Sequence, residues 1–285
     1  MRKILKKLFK NKFKNIFYML QNSNSKYFEF NKVVLKIKRD SAFGKKNAFI
    51  TSRIDQLITP NILKSGKWDY FIIEFINKYC LKKRSKFNFV DVGANIGLIS
   101  LQLINTNRYI KNYFCVEPDI QNYNILKENL SVNKTNNINT YNYALIDGKN
   151  KKKQKIFIDK SNFGNYSLIK KNNYQIDYVK SYNAKKFLNR IINKYGSYKF
   201  IYKSDTQGYD EIILLSLGSN IIKRFKILIL EISNFDFLAR NIDKFIEILD
   251  QFDEKVDEKG RNLNNKNILE KISSRKEFNL LLSKT

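Results

Sequence analysis

An α/β fold is predicted, with a mostly parallel seven-stranded sheet covered by helices on both faces, and three observations predict it. Apolar runs of strand length recur at 89–92, 113–116, 198–205 and 225–231, with amphipathic helical segments between them. Two of the runs end on an acidic residue at a turn: Phe89-Val90-Asp91-Val92-Gly93-Ala94-Asn95-Ile96-Gly97 and Cys115-Val116-Glu117-Pro118. The last, Phe225-Lys226-Ile227-Leu228-Ile229-Leu230-Glu231, is nearly unbroken in its apolarity, as in a strand buried on both faces.

The elements follow in chain order. Residues 1–20 form a basic amphipathic leader in which Leu5, Phe9, Phe13, Ile16 and Leu20 share one helical face. It lacks the continuous apolar stretch of a signal peptide. Lying on an anionic membrane and packing on itself are both open to it. Tyr27–Phe30 and Val33–Lys38 read as a hairpin about Asn31-Lys32, and Trp68 to Cys80 as a helix with one apolar face. After Glu117 comes a helix marked by Ile120, Tyr123, Leu126 and Leu130, with Asp119 as its N-cap. A third strand is expected over Asn139–Ile146, then a lysine-rich surface loop at 149–155. Residues 156–185 break the rhythm with short aromatic runs and read as an insertion on the acceptor side. Regularity returns with a strand ending at Asp205, a helix from Glu211 to Leu217 stopped by Gly218, a helix around Phe237–Phe252 and a strand near Phe278–Leu282. The expected organisation is a leader (1–25), a hairpin and helical cap (26–84) and a main domain (85–285).

The turn at 91–97 carries the first chemical signal. Its glycines are expected to let the backbone turn sharply and pass close to a ligand. The last glycine comes one residue too soon for the G-x-G-x-x-G phosphate cradle, which argues against a nicotinamide-dependent reductase. An Asp leading into G-x-N-x-G suits a ligand bearing an ammonium group and a sugar, and S-adenosylmethionine is such a cofactor. Glu117 follows Asp91 by 26 positions, near the ~20-residue offset at which an acid grips ribose hydroxyls in doubly wound folds. Asp91, Gly93, Asn95 and Gly97 are therefore expected on the methionine and ribose wall, Glu117 on the ribose, and Asp147 near the adenine.

Composition narrows the partners. The net charge is +28 with no histidine, which invites nucleic acid or an anionic membrane. Lysine, asparagine and isoleucine are raised throughout the chain, however, so part of the charge is general compositional bias. DNA is not an expected partner: Pro60 and Pro118 are the only prolines, which leaves no Pro-Pro-aromatic loop for amino methylation and no Pro-Cys nucleophile. Ribose methylation of RNA stays open as an alternative, as does a non-catalytic S-adenosylmethionine-binding role. Cys80 and Cys115 lie in apolar segments and read as buried thiols of a reducing, cytoplasmic setting, with the leader offering peripheral contact at the inner membrane surface.

Gly66-Lys67-Trp68-Asp69, Asp91-Val92-Gly93-Ala94-Asn95-Ile96-Gly97, Val116-Glu117-Pro118, Lys203-Ser204-Asp205-Thr206-Gln207-Gly208-Tyr209-Asp210 and Leu230-Glu231-Ile232 occur in that order. Together, over roughly residues 50–235, they resemble the FkbM family of S-adenosylmethionine-dependent methyltransferases. The family pattern around the fourth strand reads K-I-D-V-E-G-A-E or K-I-D-x-Q-G-Y-E, so Ser204 and Asp210 are departures. The resemblance implies a class I methyltransferase (Rossmann-like) fold and O-methylation of a sugar or other small-molecule hydroxyl, here a saccharide or glycan precursor.

A hydroxyl needs a base before it attacks a methyl group. Without histidine, Asp205 at the end of the fourth strand is the first candidate, with Asp210 and Glu231 as further catalytic candidates. Gln207, Asn165 and Tyr166 are expected to touch the acceptor. Phe163, Tyr174, Tyr178 and Tyr182 either stack on sugar rings or pack a small hairpin, and Asn162 and Ser167 are placed to bond hydroxyls. A divalent metal stays open, but two acids five apart across a turn make a poor ligand set, and no metal ligand is assigned.

Overall fold

The computed structural model describes residues 32–37, 41–43, 48–53, 57–132, 137–159 and 162–285. The chain opens with β1 (Lys32–Ile37), β2 (Ala48–Arg53), α1 (Ile58–Ser65), α2 (Tyr70–Lys83), β3 (Phe87–Val92) and α3 (Leu98–Thr106). It continues with β4 (Ile110–Val116), α4 (Ile120–Val132), β5 (Ile138–Tyr141), β6 (Ala144–Ile146), β7 (Gln154–Ile158), β8 (Gln175–Val179) and β9 (Ser181–Asn183). The final third holds α5 (Ala184–Tyr195), β10 (Lys199–Ser204), α6 (Asp210–Leu217), α7 (Ser219–Ile222), β11 (Phe225–Ile232), α8 (Phe235–Arg240), α9 (Ile242–Leu249), β12 (Glu254–Asp257), α10 (Asn265–Ser273) and β13 (Phe278–Ser283).

The central sheet has seven strands in the order β12-β13-β11-β10-β3-β4-β5, parallel except for β13, which runs antiparallel to both its neighbours. Strand alternation divides the core in two. Phe89, Tyr113, Cys115, Ile201 and Ile229 point to one face, where α2, α3 and α4 cover them. Val90, Val92, Phe114, Val116, Tyr202, Leu228 and Leu230 point to the other, under α5, α6, α9 and α10. Both registers of each strand are thus apolar, which is why the sequence shows runs here and not alternation. This is a doubly wound, Rossmann-like sheet.

Residues 33–37 form a strand as expected, and β1 pairs with β2; the expected hairpin partner 27–30 and the leader 1–20 lie outside the described residues. Two expectations are corrected. The third strand breaks in two, because Asn142 turns back to donate to the carbonyls of Glu117 and Pro118 (3.1 and 2.9 Å). β6 then leaves the sheet and pairs in parallel with β9. The helix expected over 237–252 divides into α8 and α9 at Asn241, whose N–H closes the first helix on Leu238 and whose carbonyl opens the second. β12, with the polar sequence Glu-Lys-Val-Asp, and α10 had no counterpart in the sequence reading. Asp119 caps α4 as expected, accepting from the Asn122 N–H at 2.8 Å. Among the described residues no helix is long and apolar enough to cross a membrane.

Candidate functional site

Strand order reverses at β3, which has β4 on one side and β10 on the other. Crevices open at such a point, beyond the carboxyl ends of the strands. Here an open cleft of about 810 Å³ is lined by Gly93 and Asn95 after β3, Glu117 after β4, Asp205 and Gln207 after β10, and Glu231 in β11.

The β3–α3 turn is shaped by backbone. The N–H groups of Gly93 and Ala94 both donate to the Val116 carbonyl at 3.0 Å. Gly93 and Gly97 have φ of 71° and 88°. A Cβ on Gly93 would lie 1.9 Å from the Asp205 carbonyl oxygen, and one on Gly97 would lie 2.6 Å from Leu126. Gly93 lines the cleft, its missing Cβ also leaving room for the Asp205 carbonyl, whereas Gly97 makes room for Leu126 and does not reach the cleft wall. Asn95, also left-handed at φ 51°, donates its N–H to Glu117 Oε2 at 2.8 Å. Glu117 Oε1 accepts from the Asp119 N–H at 3.0 Å. Burial, with Asp119 adding to it, pushes the Glu117 carboxyl up to about 8 against those two N–H bonds.

Asp91 is placed differently from the expectation. It is fully buried beneath the wall, paired through Oδ1 with Lys203 Nζ at 3.1 Å and accepting from Ser100 Oγ at 2.8 Å. Lys203 stands directly opposite Asp91 in the β3–β10 register, donates to the Gly93 carbonyl at 3.0 Å, and does line the cleft. Burial works against its charge, but Asp91 and Asp205 outweigh this and hold the ammonium above the ordinary lysine range.

The β10–α6 loop is shaped by side chains. Gln207, at φ 56°, donates from Nε2 to Asp205 Oδ1 at 3.0 Å and to Glu231 Oε2 at 2.9 Å, so one amide joins two carboxylates on the cleft wall. Asp205 Oδ2 is 3.9 Å from Lys203 Nζ. Asp210 is corrected as a base candidate: it is fully buried off the cleft, and accepts from Ser204 Oγ and from the Thr206 N–H at 3.0 Å. The two departures from the family pattern therefore bond to each other. Burial, with Glu211 and Asp205 nearby, pushes Asp210 up to about 7. Burial and the charges of Asp205 and Asp210 push Glu231 up to about 10, so it is protonated at neutral pH.

The insertion closes one side of the cleft. β7 and β8 form an antiparallel hairpin, and the loop between them brings Asn162, Phe163, Asn165, Tyr166 and Lys171 to the wall. Tyr166 accepts from Arg53 Nη1 at 2.9 Å, and Lys171 Nζ donates to Asn165 Oδ1 at 2.9 Å. Ser167 is buried and donates to the Gln207 carbonyl at 2.6 Å, so it fastens the insertion to the β10–α6 loop and does not reach the cleft. Tyr178 is exposed on the hairpin, and Tyr182 packs against Tyr143 with ring centroids 5.4 Å apart; neither lines the cleft. Asp147 is also off the wall, accepting from the Tyr209 hydroxyl at 2.7 Å, while Tyr143, Ala144 and Leu145 before it line the cleft.

Lys203 and Asp69 were missed as site residues. A lysine inside the apolar run of β10 was a signal for the first. Asp69 lies in the Gly66–Asp69 motif; burial, reinforced by Asp205, pushes its carboxyl up to about 6. Among the described residues no three His, Cys, Asp or Glu side chains are grouped so as to hold a metal ion.

No family model matches the chain, and no curated protein matches it. Solved structures do. Methyltransferase FkbM from Methylobacillus flagellatus KT is 18% identical over 70% of this chain and 43% of that one, with a TM-score of 0.42. The O-methyltransferase from Bacillus cereus, solved in complex with SAH, is 11% identical over 74% and 79%, with a TM-score of 0.39. The precorrin-6y C5,15-methyltransferase from Geobacter metallireducens GS-15 is 11% identical over 70% and 81%, with a TM-score of 0.36.

Proposed function

We propose that the chain is an S-adenosylmethionine-dependent O-methyltransferase of the FkbM kind, acting on a hydroxyl of a saccharide or glycan precursor. The observation that carries this is the joining of two parts at the switch point: a glycine turn with Glu117 on one side, and Asp205 with its buried lysine on the other.

The residues present fit the cofactor. Asn95 and Thr206 line the cleft, and their side-chain oxygens Oδ1 and Oγ1 are buried without a hydrogen-bond partner in the protein. Pro118, Tyr143, Leu145 and Ile156 give a flat ring an apolar wall, and Glu117 faces the sugar position. Asp69 and Asp205 offer acidic surroundings to a ligand carrying sulfonium and ammonium charge. When bound, that cofactor supplies a methyl group activated by positive sulfur.

The chain's own residues then do three things. Glu117 and Asn95 hold the ribose hydroxyls. Asp205 takes the acceptor's proton, its carboxylate oriented by Gln207 and kept beside a fixed positive charge by Lys203. Asn165 and Tyr166 bound the acceptor end, each already fixed by a neighbour. Asp91 acts through Lys203, by holding it against the Gly93 carbonyl. The two buried free thiols fit a cytoplasmic setting.

Calorimetric titration of the purified chain with S-adenosylhomocysteine is the test. Saturable one-to-one binding that weakens in Glu117→Ala supports the reading, to be followed by labelled methyl transfer onto glycan acceptors. A folded sample that binds nothing overturns it.

A further inference from the structure

The charge of this chain is not spread evenly. Residues 149–180 contain nine lysines and two aspartates, while residues 236–258 contain eight acids and three basic residues. Compositional bias alone gives no such division. The basic stretch joins the lysine-rich loop at 149–155 to most of the insertion, and the acidic one runs through α8 and α9 to β12 at the sheet edge.

The outer face of the insertion is also apolar. Ile176 and Tyr178 lie two apart on β8 and so share a face, with exposures of 48% and 54%. Their partners across the hairpin are Phe157, which is buried, and the exposed Lys155. The opposite face of β7 carries Ile156 into the cleft wall. Lys155 is exposed directly across from Tyr178, and Lys151, Lys152, Lys153 and Lys180 are exposed at that end of the hairpin. An exposed aliphatic side chain and a tyrosine within a lysine field match the needs of a lipid interface: apolar atoms to insert, an amphipathic ring at headgroup depth, and cations for anionic headgroups.

We infer that the outer face of the β7–β8 hairpin docks on an anionic phospholipid surface and presents the cleft rim to it. Charge complementarity selects this occupant. The basic leader, with Lys3, Lys6, Lys7 and Lys10, would be repelled by the same lysines. RNA would meet the cations, but it gives Ile176 nothing apolar to bury against. The inference is independent of methyl transfer, so its test needs neither cofactor nor acceptor.

The experiment is co-sedimentation of the full chain with phosphatidylcholine vesicles, with and without phosphatidylglycerol. Three proteins are compared: wild type, Ile176→Ser/Tyr178→Ser, and Lys151→Glu/Lys152→Glu/Lys153→Glu. Each is checked for an unchanged thermal unfolding midpoint, and each retains the leader. The expected result is binding that requires phosphatidylglycerol and weakens at least about tenfold in both variants, each lysine near the surface counting for roughly fivefold. Should either variant lower the midpoint, Ile176→Thr and Lys152→Gln serve as milder replacements, with proportionate losses expected. Three outcomes overturn the inference: no binding to anionic vesicles, binding that both variants retain because the leader carries it, or a preference for single-stranded RNA that the apolar variant leaves intact.

Discussion

The two loops flanking the switch point are built in opposite ways. The β3–α3 turn is made by leaving atoms out: at Gly93 and Gly97 the space of a side chain is taken by the Asp205 carbonyl and by Leu126. The β10–α6 loop is made by putting polar atoms in: Gln207 joins Asp205 to Glu231, while Ser204 and Asp210 brace the loop from below. The first loop tolerates no addition and the second no removal. The contact between Gly93 and Asp205 makes each loop depend on the other.

That contrast can be broken most forcefully at Gly93. Gly93→Ala sets a methyl group against a backbone carbonyl at a left-handed φ, and a loss above about 4 kcal/mol is expected in urea unfolding. An ordinary surface-sized loss would show that the two loops separate easily. Asp205→Asn keeps the bulk and removes the base. Turnover should fall about 10²- to 10⁴-fold with S-adenosylhomocysteine affinity nearly unchanged, and a variant that keeps its turnover rejects this base. Asp210→Ala strands the Ser204 hydroxyl and the Thr206 N–H, and should cost about 2–3 kcal/mol of stability. Ser204→Ala should cost about 1 kcal/mol alone and less on the Asp210→Ala background; additive losses in that double-mutant cycle would separate the two residues.

The remaining effect is a slope in pH. Glu117 has its carboxyl raised from 4.5 to about 8 in the folded chain. For a raised acid, its share of stability is complete below about 4.5 and is lost as pH climbs through about 8. The ligand-free unfolding midpoint should therefore decline across that window, and Glu117→Gln should flatten the decline. An unchanged slope in the variant assigns the titration to another group.

The sequence made the backbone-built loop easy to find and the side-chain-built one only partly so. Glycine at two spacings after an apolar run has few uses, so the 91–97 turn and the Glu117 turn could be located with no structure in hand. The burial of Asp91 could not, because its partner Lys203 is more than a hundred positions away and only strand pairing brings them together. Asp210 looked like a second cleft acid for a related reason: its spacing from Asp205 is local, but the helix turns it into the core. β12 went unseen because its four residues are mostly charged, and only the neighbour β13 makes a strand of them. The break at Asn142 rests on two side-chain bonds that no periodicity encodes.

One feature of the core also supplies a clock. The chain has two cysteines, both fully buried and free, with Cys115 on β4 beside Ser100 and Cys80 on α2. Burial pushes the Cys80 thiol up to about 11 and raises that of Cys115 as well, so neither is a thiolate near neutral pH. A thiol reagent can modify either one only while the sheet and its helices are parted. The rate of labelling therefore counts openings of the native molecule, with no engineered probe and no denaturant.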